Sequence, residues 1–133
     1  AIGLPFWATE QYPQGLGPTV DDVGLDGEQP LAKTVFSAAR APGFDLQERD
    51  QVLLCGIEAH VCVSQTAHDL IDDGVEVHVA ADAIASRTPA NREIGLRKME
   101  RAGAIVTSVE TALFELCERA GTPEFRAVQR LVR

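Results

Sequence analysis

Apolar residues in this chain fall into two patterns, short unbroken runs and longer stretches with helical spacing, and their order predicts an α/β fold. Ile2, Leu4, Phe6, Trp7 and Ala8 run almost without a break through residues 1–9, which reads as a buried strand. That strand feeds a loop, Gln11-Tyr12-Pro13-Gln14-Gly15-Leu16-Gly17-Pro18, continued by Asp26-Gly27-Glu28-Gln29-Pro30. A second short apolar stretch, residues 31–36, is interrupted by Lys33, and a charge inside such a run requires a reason. Past the turn Ala41-Pro42-Gly43, Val52-Leu53-Leu54-Cys55-Gly56-Ile57 has strand length and is expected to be buried on both faces.

Helical spacing takes over immediately downstream, where Val63, Ala67, Leu70 and Ile71 recur on one face. Asp72-Asp73-Gly74 closes that helix with a glycine suited to a left-handed cap. The unit then repeats in outline: strand 75–80, a loop with Ser86-Arg87-Thr88-Pro89, helix 91–102, strand 104–107 and helix 110–118. Such alternation implies a mostly parallel, doubly wound-like sheet between helical layers, a three-layer sandwich. Thr107 and Glu110 have the spacing of a capping box, and Thr122-Pro123 predicts the start of a last helix. Its stripe of Phe125, Val128, Leu131 and Val132 suits docking on the body or on a partner chain. With no repeat, low-complexity tract or linker, residues 1–133 read as a single domain.

Charge narrows the possible partners. The chain holds 12 Lys and Arg against 20 Asp and Glu, a net charge of −8, so nucleic acid and anionic membrane are expected to be repelled. No apolar run approaches the roughly 20 residues of a spanning helix, and residues 1–9 lack the basic start of a signal peptide. A cytoplasmic protein is the expectation. The three cysteines, Cys55, Cys62 and Cys117, cannot all pair within one chain and show no Cys-x-x-Cys spacing, which predicts reduced thiols. His60, His68 and His78 lack the spacing that places two imidazoles on one ion, so no metal is expected.

Cys62 stands where a strand gives way to a helix, a position near unpaired backbone N–H groups that favours thiolate over thiol. Helix N-termini and neighbouring cations lower a cysteine pKa from about 8.5 into a range of about 3.5 to 7.5. Lys33 is the cation expected nearby, because Lys33, Cys62 and Asp82 all come at or just after strand ends, where ligands bind in open α/β sheets. The plainer alternative for Cys62 is a buried thiol at a strand–helix junction. Cys55 and Cys117 fit that alternative much better.

The run Gly56-Ile57-Glu58-Ala59-His60-Val61-Cys62-Val63, followed by Gln65-Thr66-Ala67, resembles the nucleophile loop of the isochorismatase-like cysteine hydrolases. Thr9-Glu10-Gln11-Tyr12-Pro13 with Gly15-Leu16-Gly17-Pro18-Thr19-Val20 resembles a second signature, that of the isochorismatase domain-containing branch. Ala32-Lys33-Thr34 with Phe36-Ser37 resembles a third, and further matches extend from Val77-His78-Val79 to Gly121-Thr122-Pro123. The resemblance implies that Cys62 is the nucleophile, that Lys33 is the triad lysine and that the backbone N–H groups of Glu58 and Cys62 form the oxyanion hole. It also implies a cis Ile57–Glu58 peptide. Tyr12 and Phe36 are candidates for substrate contact, His60 shapes the pocket loop, and Asp82 orders a loop rather than acting as an acid.

One departure from the family pattern stands out. The family's triad aspartate comes from a first strand and helix upstream of the segment matching residues 1–9, and no residue here aligns with it. Asp21, Asp22 and Asp26 lie in a loop after the second family strand and do not replace it. The family's first strand runs through the middle of the sheet, and paired strands sit about 4.8 Å apart, so its absence would leave two neighbours too far apart to bond. The sequence is therefore expected to be an N-terminally incomplete form of a longer protein.

The resemblance implies hydrolysis of a small amide or related acyl compound through a cysteine thioester, without a cofactor, by a homo-oligomer. Two rivals remain. One is a non-catalytic interaction protein that retains the fold but lacks the aspartate; the other is a redox-responsive thiol, since a low-pKa cysteine is readily oxidised.

Overall fold

A computed structural model describes residues 3–25 and 27–132. Among these, strands and helices alternate along the chain, and every strand pairing is parallel. Strand β1 (Thr9–Gln11) pairs with β2 (Leu31–Lys33) in the register Thr9↔Leu31, Glu10↔Ala32, Gln11↔Lys33. A second sheet runs β3–β4–β5, built from β3 (Gln51–Ile57), β4 (Glu76–Ala85) and β5 (Ile105–Thr107). The intervening helices are α1 (Pro13–Leu16), α2 (Ser64–Asp72), α3 (Pro89–Ala102), α4 (Val109–Cys117) and α5 (Pro123–Leu131). Helices lie on both sides of the parallel strands, giving the three-layer α/β sandwich that the alternation predicts.

One core accounts for most of the packing. Val77 and Val79 of β4 meet Ala67 and Leu70 of α2 and Met99 of α3, joined by Ala59, Val63, Ile84 and Ala104. Burying a side chain the size of Leu70, Met99 or Val79 stabilises the fold by about 1.5–3 kcal/mol each. The helix starts are set by hydroxyl caps: Thr88 accepts from the Asn91 N–H, Ser108 from Thr111 and Thr122 from Phe125, with proline following Thr88 and Thr122. The Thr122 start is where the sequence predicts it. For α4 the cap is Ser108, not Thr107, because the chain remains in β5 through Thr107, which moves the helix start one residue on.

Two expectations for the strands fail. Residues 3–8 form no strand, and Leu4, Phe6 and Trp7 are exposed; residues 1 and 2 lie outside the described residues. An apolar run becomes a buried strand only when a layer lies over it, and here the segment is held at its end, where the Ala8 carbonyl accepts from the Leu31 N–H at 2.8 Å, and at Trp7. Trp7 donates its indole N–H to the Asp45 carbonyl at 2.7 Å, and its ring sits tilted against Phe44.

The second failure is β3, which is covered on one face instead of two. Val52 and Leu54 pack against the core, whereas Leu53 is 46% exposed and Ile57 72%, with Cys55 exposed between them. Side chains of a strand alternate between faces, so one uncovered layer leaves every second residue of β3 in solvent. Among the described residues β3 has a strand partner on one edge only, and the two sheets share no hydrogen bond between strands.

Candidate active site

The parallel register of β1 and β2 sets Gln11 beside Lys33, each the last residue of its strand. Lys33 is 5% exposed, which is unusual for a lysine, and its ammonium is saturated. Nζ donates to Gln11 Oε1 at 2.6 Å, to the Phe36 carbonyl at 2.8 Å and to the Val35 carbonyl at 3.1 Å. These are the three bonds an ammonium can make, all to neutral oxygens. Among the described residues no carboxylate lies within ion-pair distance of Lys33. Burial pulls the lysine pKa below its ordinary value, and the neighbouring Cys62 pulls the other way.

Cys62 reaches this point from the other sheet. After β3 the chain passes through a cis peptide at Ile57-Glu58 and enters a wide π turn, Ala59–Val63, before α2 begins. The Glu58 carbonyl accepts from the N–H groups of Val61 and Val63, which draws the turn around itself. Cys62 is half-buried in this turn, with Sγ 3.9 Å from Gln11 Oε1. The thiol therefore faces the amide oxygen that also holds the lysine.

Three further contacts fix the turn. Thr66, in the first turn of α2, donates its hydroxyl to the Cys62 carbonyl at 2.7 Å and accepts from the Ala38 N–H at 2.8 Å, joining the Cys62 turn to the segment that follows Lys33. The Glu58 carboxylate is clasped by the Arg87 guanidinium, at 2.7 Å from the terminal nitrogen, and accepts the Arg87 backbone N–H at 2.9 Å. Those bonds hold the Glu58 pKa down at about 2. His60 turns its Nδ1 to Ser86 Oγ at 3.0 Å.

Of the residues singled out from sequence, Cys62, Lys33, Glu58 and His60 come together around this turn and the end of β2. Tyr12 supports the site through its backbone: its N–H donates to the Lys33 carbonyl at 2.8 Å, while its ring lies over Gly15, half exposed. Phe36 likewise contributes its carbonyl to Lys33, and its ring lines a cavity of about 560 Å³ with Arg40, Gln65 and His68. Cys62 is not among the walls of that cavity. Asp82 turns away to cap α4, accepting from the Val109 N–H at 2.9 Å, which is the loop-ordering role expected of it. Gln11 and Thr66, quoted above only as parts of longer matching stretches, are the neighbours of Lys33 and Cys62 that hydrophobic patterning does not single out.

This arrangement can be compared with known proteins. Residues 13–111 match the isochorismatase domain. The chain belongs to the isochorismatase domain family. It is 44% identical over 135 residues to isochorismatase domain-containing protein 2 of Pongo abelii, covering 99% of this chain and 66% of that protein. The isochorismatase-like fold is shared with the MAR1 ribonuclease structure from Caenorhabditis elegans, at TM-score 0.88 and 44% identity over 97% of this chain and 69% of that one. A more distant isochorismatase-like match is the nicotinamidase structure from Bacillus subtilis, at TM-score 0.52 and 28% identity, covering 58% of this chain and 45% of that one. This isochorismatase domain thus spans 66% of the length of the Pongo abelii protein.

Proposed function

We propose that the protein of which this chain is the isochorismatase domain hydrolyses a small amide or related acyl compound through a thioester on Cys62. The observation that carries the reading is a buried ammonium, Lys33, beside a half-buried thiol, with neutral oxygens as its acceptors among the described residues. A cation in a site of reduced dielectric favours the thiolate, which is the attacking form. The thiolate attacks the acyl carbon; a C–S bond forms and the carbonyl electron pair moves to oxygen. Backbone N–H groups of Glu58 and Cys62 hold that oxyanion, and collapse expels the amine, which leaves with a proton. Water then attacks the thioester, the acid departs, and the sulfur returns. No cofactor takes part in these steps.

By the family resemblance, an aspartate on a strand preceding this segment takes the thiol proton, and the uncovered β3 is consistent with a further strand and helix on that side. The nicotinamidase named among the relatives supports an amide as the substrate class. The ribonuclease name belongs to the nematode protein, and a net charge of −8 weighs against RNA as the substrate here. Three free cysteines and the acidic balance support a cytoplasmic setting, and exposed Leu131 on α5 supports self-association.

An amide library assayed by mass spectrometry, with RNA in the panel and Cys62→Ala as the blank, tests the reading. The expected result is release of an acid from at least one amide, and an acyl adduct on Cys62 when the reaction is quenched early. Turnover that survives Cys62→Ala, or cleavage of RNA alone, would overturn it.

A further inference from the structure

Gln11 occupies a position that neither the nucleophile nor the lysine explains. Its Nε2 donates to the Thr34 carbonyl at 2.7 Å, and because a carbonyl can only accept, the amide has one permitted orientation. Oε1 must then point the other way, where it meets Lys33 Nζ at 2.6 Å and Cys62 Sγ at 3.9 Å. One side chain from β1 therefore links the lysine of β2 to the thiol that follows β3. It does so across the junction of two sheets that share no hydrogen bond between strands.

We propose that Gln11 is a positioning residue for the Cys62 thiol, holding the Lys33 ammonium beside the sulfur through a neutral oxygen. The proposal rests on the reading of Cys62 as the nucleophile and adds the reason why the acceptor is an amide. A carboxylate at the same place would bond Lys33 at least as well, but it would neutralise the ammonium and repel the thiolate. An amide fixes the cation and leaves its charge available to the sulfur. It also cannot remove the thiol proton, so Gln11 takes no part in proton transfer.

Among the described residues, the other charged groups near the turn are engaged elsewhere. Glu58 is held by Arg87, His60 by Ser86, and Glu10, beside Gln11 in β1, accepts from Thr19. From α3, Arg92 is committed to the carbonyls of Ile84 and Ala81. Lys33 is thus the charge whose environment Gln11 controls.

The test is the pH profile of iodoacetamide alkylation at Cys62, followed by peptide mass spectrometry in the full chain and in Gln11→Glu and Gln11→Met. Gln11→Glu places a second negative charge beside the sulfur and should slow alkylation at pH 7 by about tenfold or more. Gln11→Met, which has no oxygen, loosens the lysine without adding charge but also removes the acceptor that the thiol faces, so it should slow alkylation at pH 7 by less than Gln11→Glu does. If the glutamate variant does not fold, the methionine variant decides alone. An activated thiol in the unmodified protein whose midpoint is the same in every folded variant overturns the role of Gln11 and leaves Cys62 as nucleophile. A Cys62 that is not activated in the unmodified protein overturns both readings.

Discussion

Gly95 of α3 lies against Ala59 so closely that a Cβ at Gly95 would stand 2.7 Å from the Ala59 carbonyl oxygen and 2.8 Å from the Cα of His60. Both obstacles are backbone, and that backbone belongs to the π turn that carries Cys62. The helix therefore acts as a floor under the turn, and only a residue without a side chain permits the approach.

Gly95→Ala should accordingly damage the site rather than the helix alone. Alanine is the better helix former by about 1 kcal/mol, so an open position would gain stability from the change. Here overpacking should instead cost about 1–3 kcal/mol, read as a lowered urea midpoint, and should slow alkylation of Cys62 as the turn is pushed off α3. An unchanged or raised midpoint would show that α3 moves aside freely.

Thr66 makes a parallel case from inside α2. Its hydroxyl bonds the Cys62 carbonyl and receives the Ala38 N–H, and the side chain is buried. Thr66→Val keeps the shape and removes both bonds, leaving an N–H and a carbonyl without that partner. A loss of about 1–3 kcal/mol is expected by denaturant titration. Thr66→Ser retains the hydroxyl and should recover the bonds; a serine variant as unstable as the valine one would assign the effect to the lost methyl group instead.

Acid sensitivity should centre on Glu58. Its folded pKa is about 2, against an ordinary value of 4.5, because Arg87 bonds the carboxylate and not the acid. A lowered folded pKa means the contribution is complete above about 4.5 and is lost as pH falls toward 2. Arg87→Gln should remove that slice of pH dependence, so the variant and the parent converge in stability near pH 2 and differ most above pH 4.5. A constant difference at every pH would locate the role of Arg87 in packing. The Arg87 side chain is largely open to solvent, so the effect should also shrink in high salt.

How far the sequence reveals this molecule depends on the range of each interaction. The start of α5 is legible because Thr122 and Pro123 act on the turn they begin, and Cys62 is legible because a strand-to-helix junction is local. Ser108, and not Thr107, caps α4 because the end of β5 is set by its pairing with β4, which no local pattern reports. The outer face of β3 illustrates the same limit: Leu53 and Ile57 read identically whether or not a layer covers them. Gln11 is hidden for a related reason. A polar residue ending a short strand is unremarked until the register places it beside Lys33, 22 positions away.

Exposure and activation make opposite predictions for the thiols, which gives the sharpest test of the site. Cys55 is exposed, Cys62 is half-buried and Cys117 is buried, so access alone orders alkylation as Cys55, Cys62, Cys117. The rate also follows the thiolate fraction, and only Cys62 has a buried ammonium beside it. Iodoacetamide at pH 7 should therefore modify Cys62 first, ahead of the more accessible Cys55. Lys33→Met should reverse that order by removing the cation, cutting the Cys62 rate by about tenfold while leaving Cys55 unchanged. Circular dichroism is the necessary control, because the same change strands the carbonyls of Val35 and Phe36. If Cys55 reacts first in the unmodified protein, the half-buried sulfur is an ordinary thiol and the lysine beside it serves the fold.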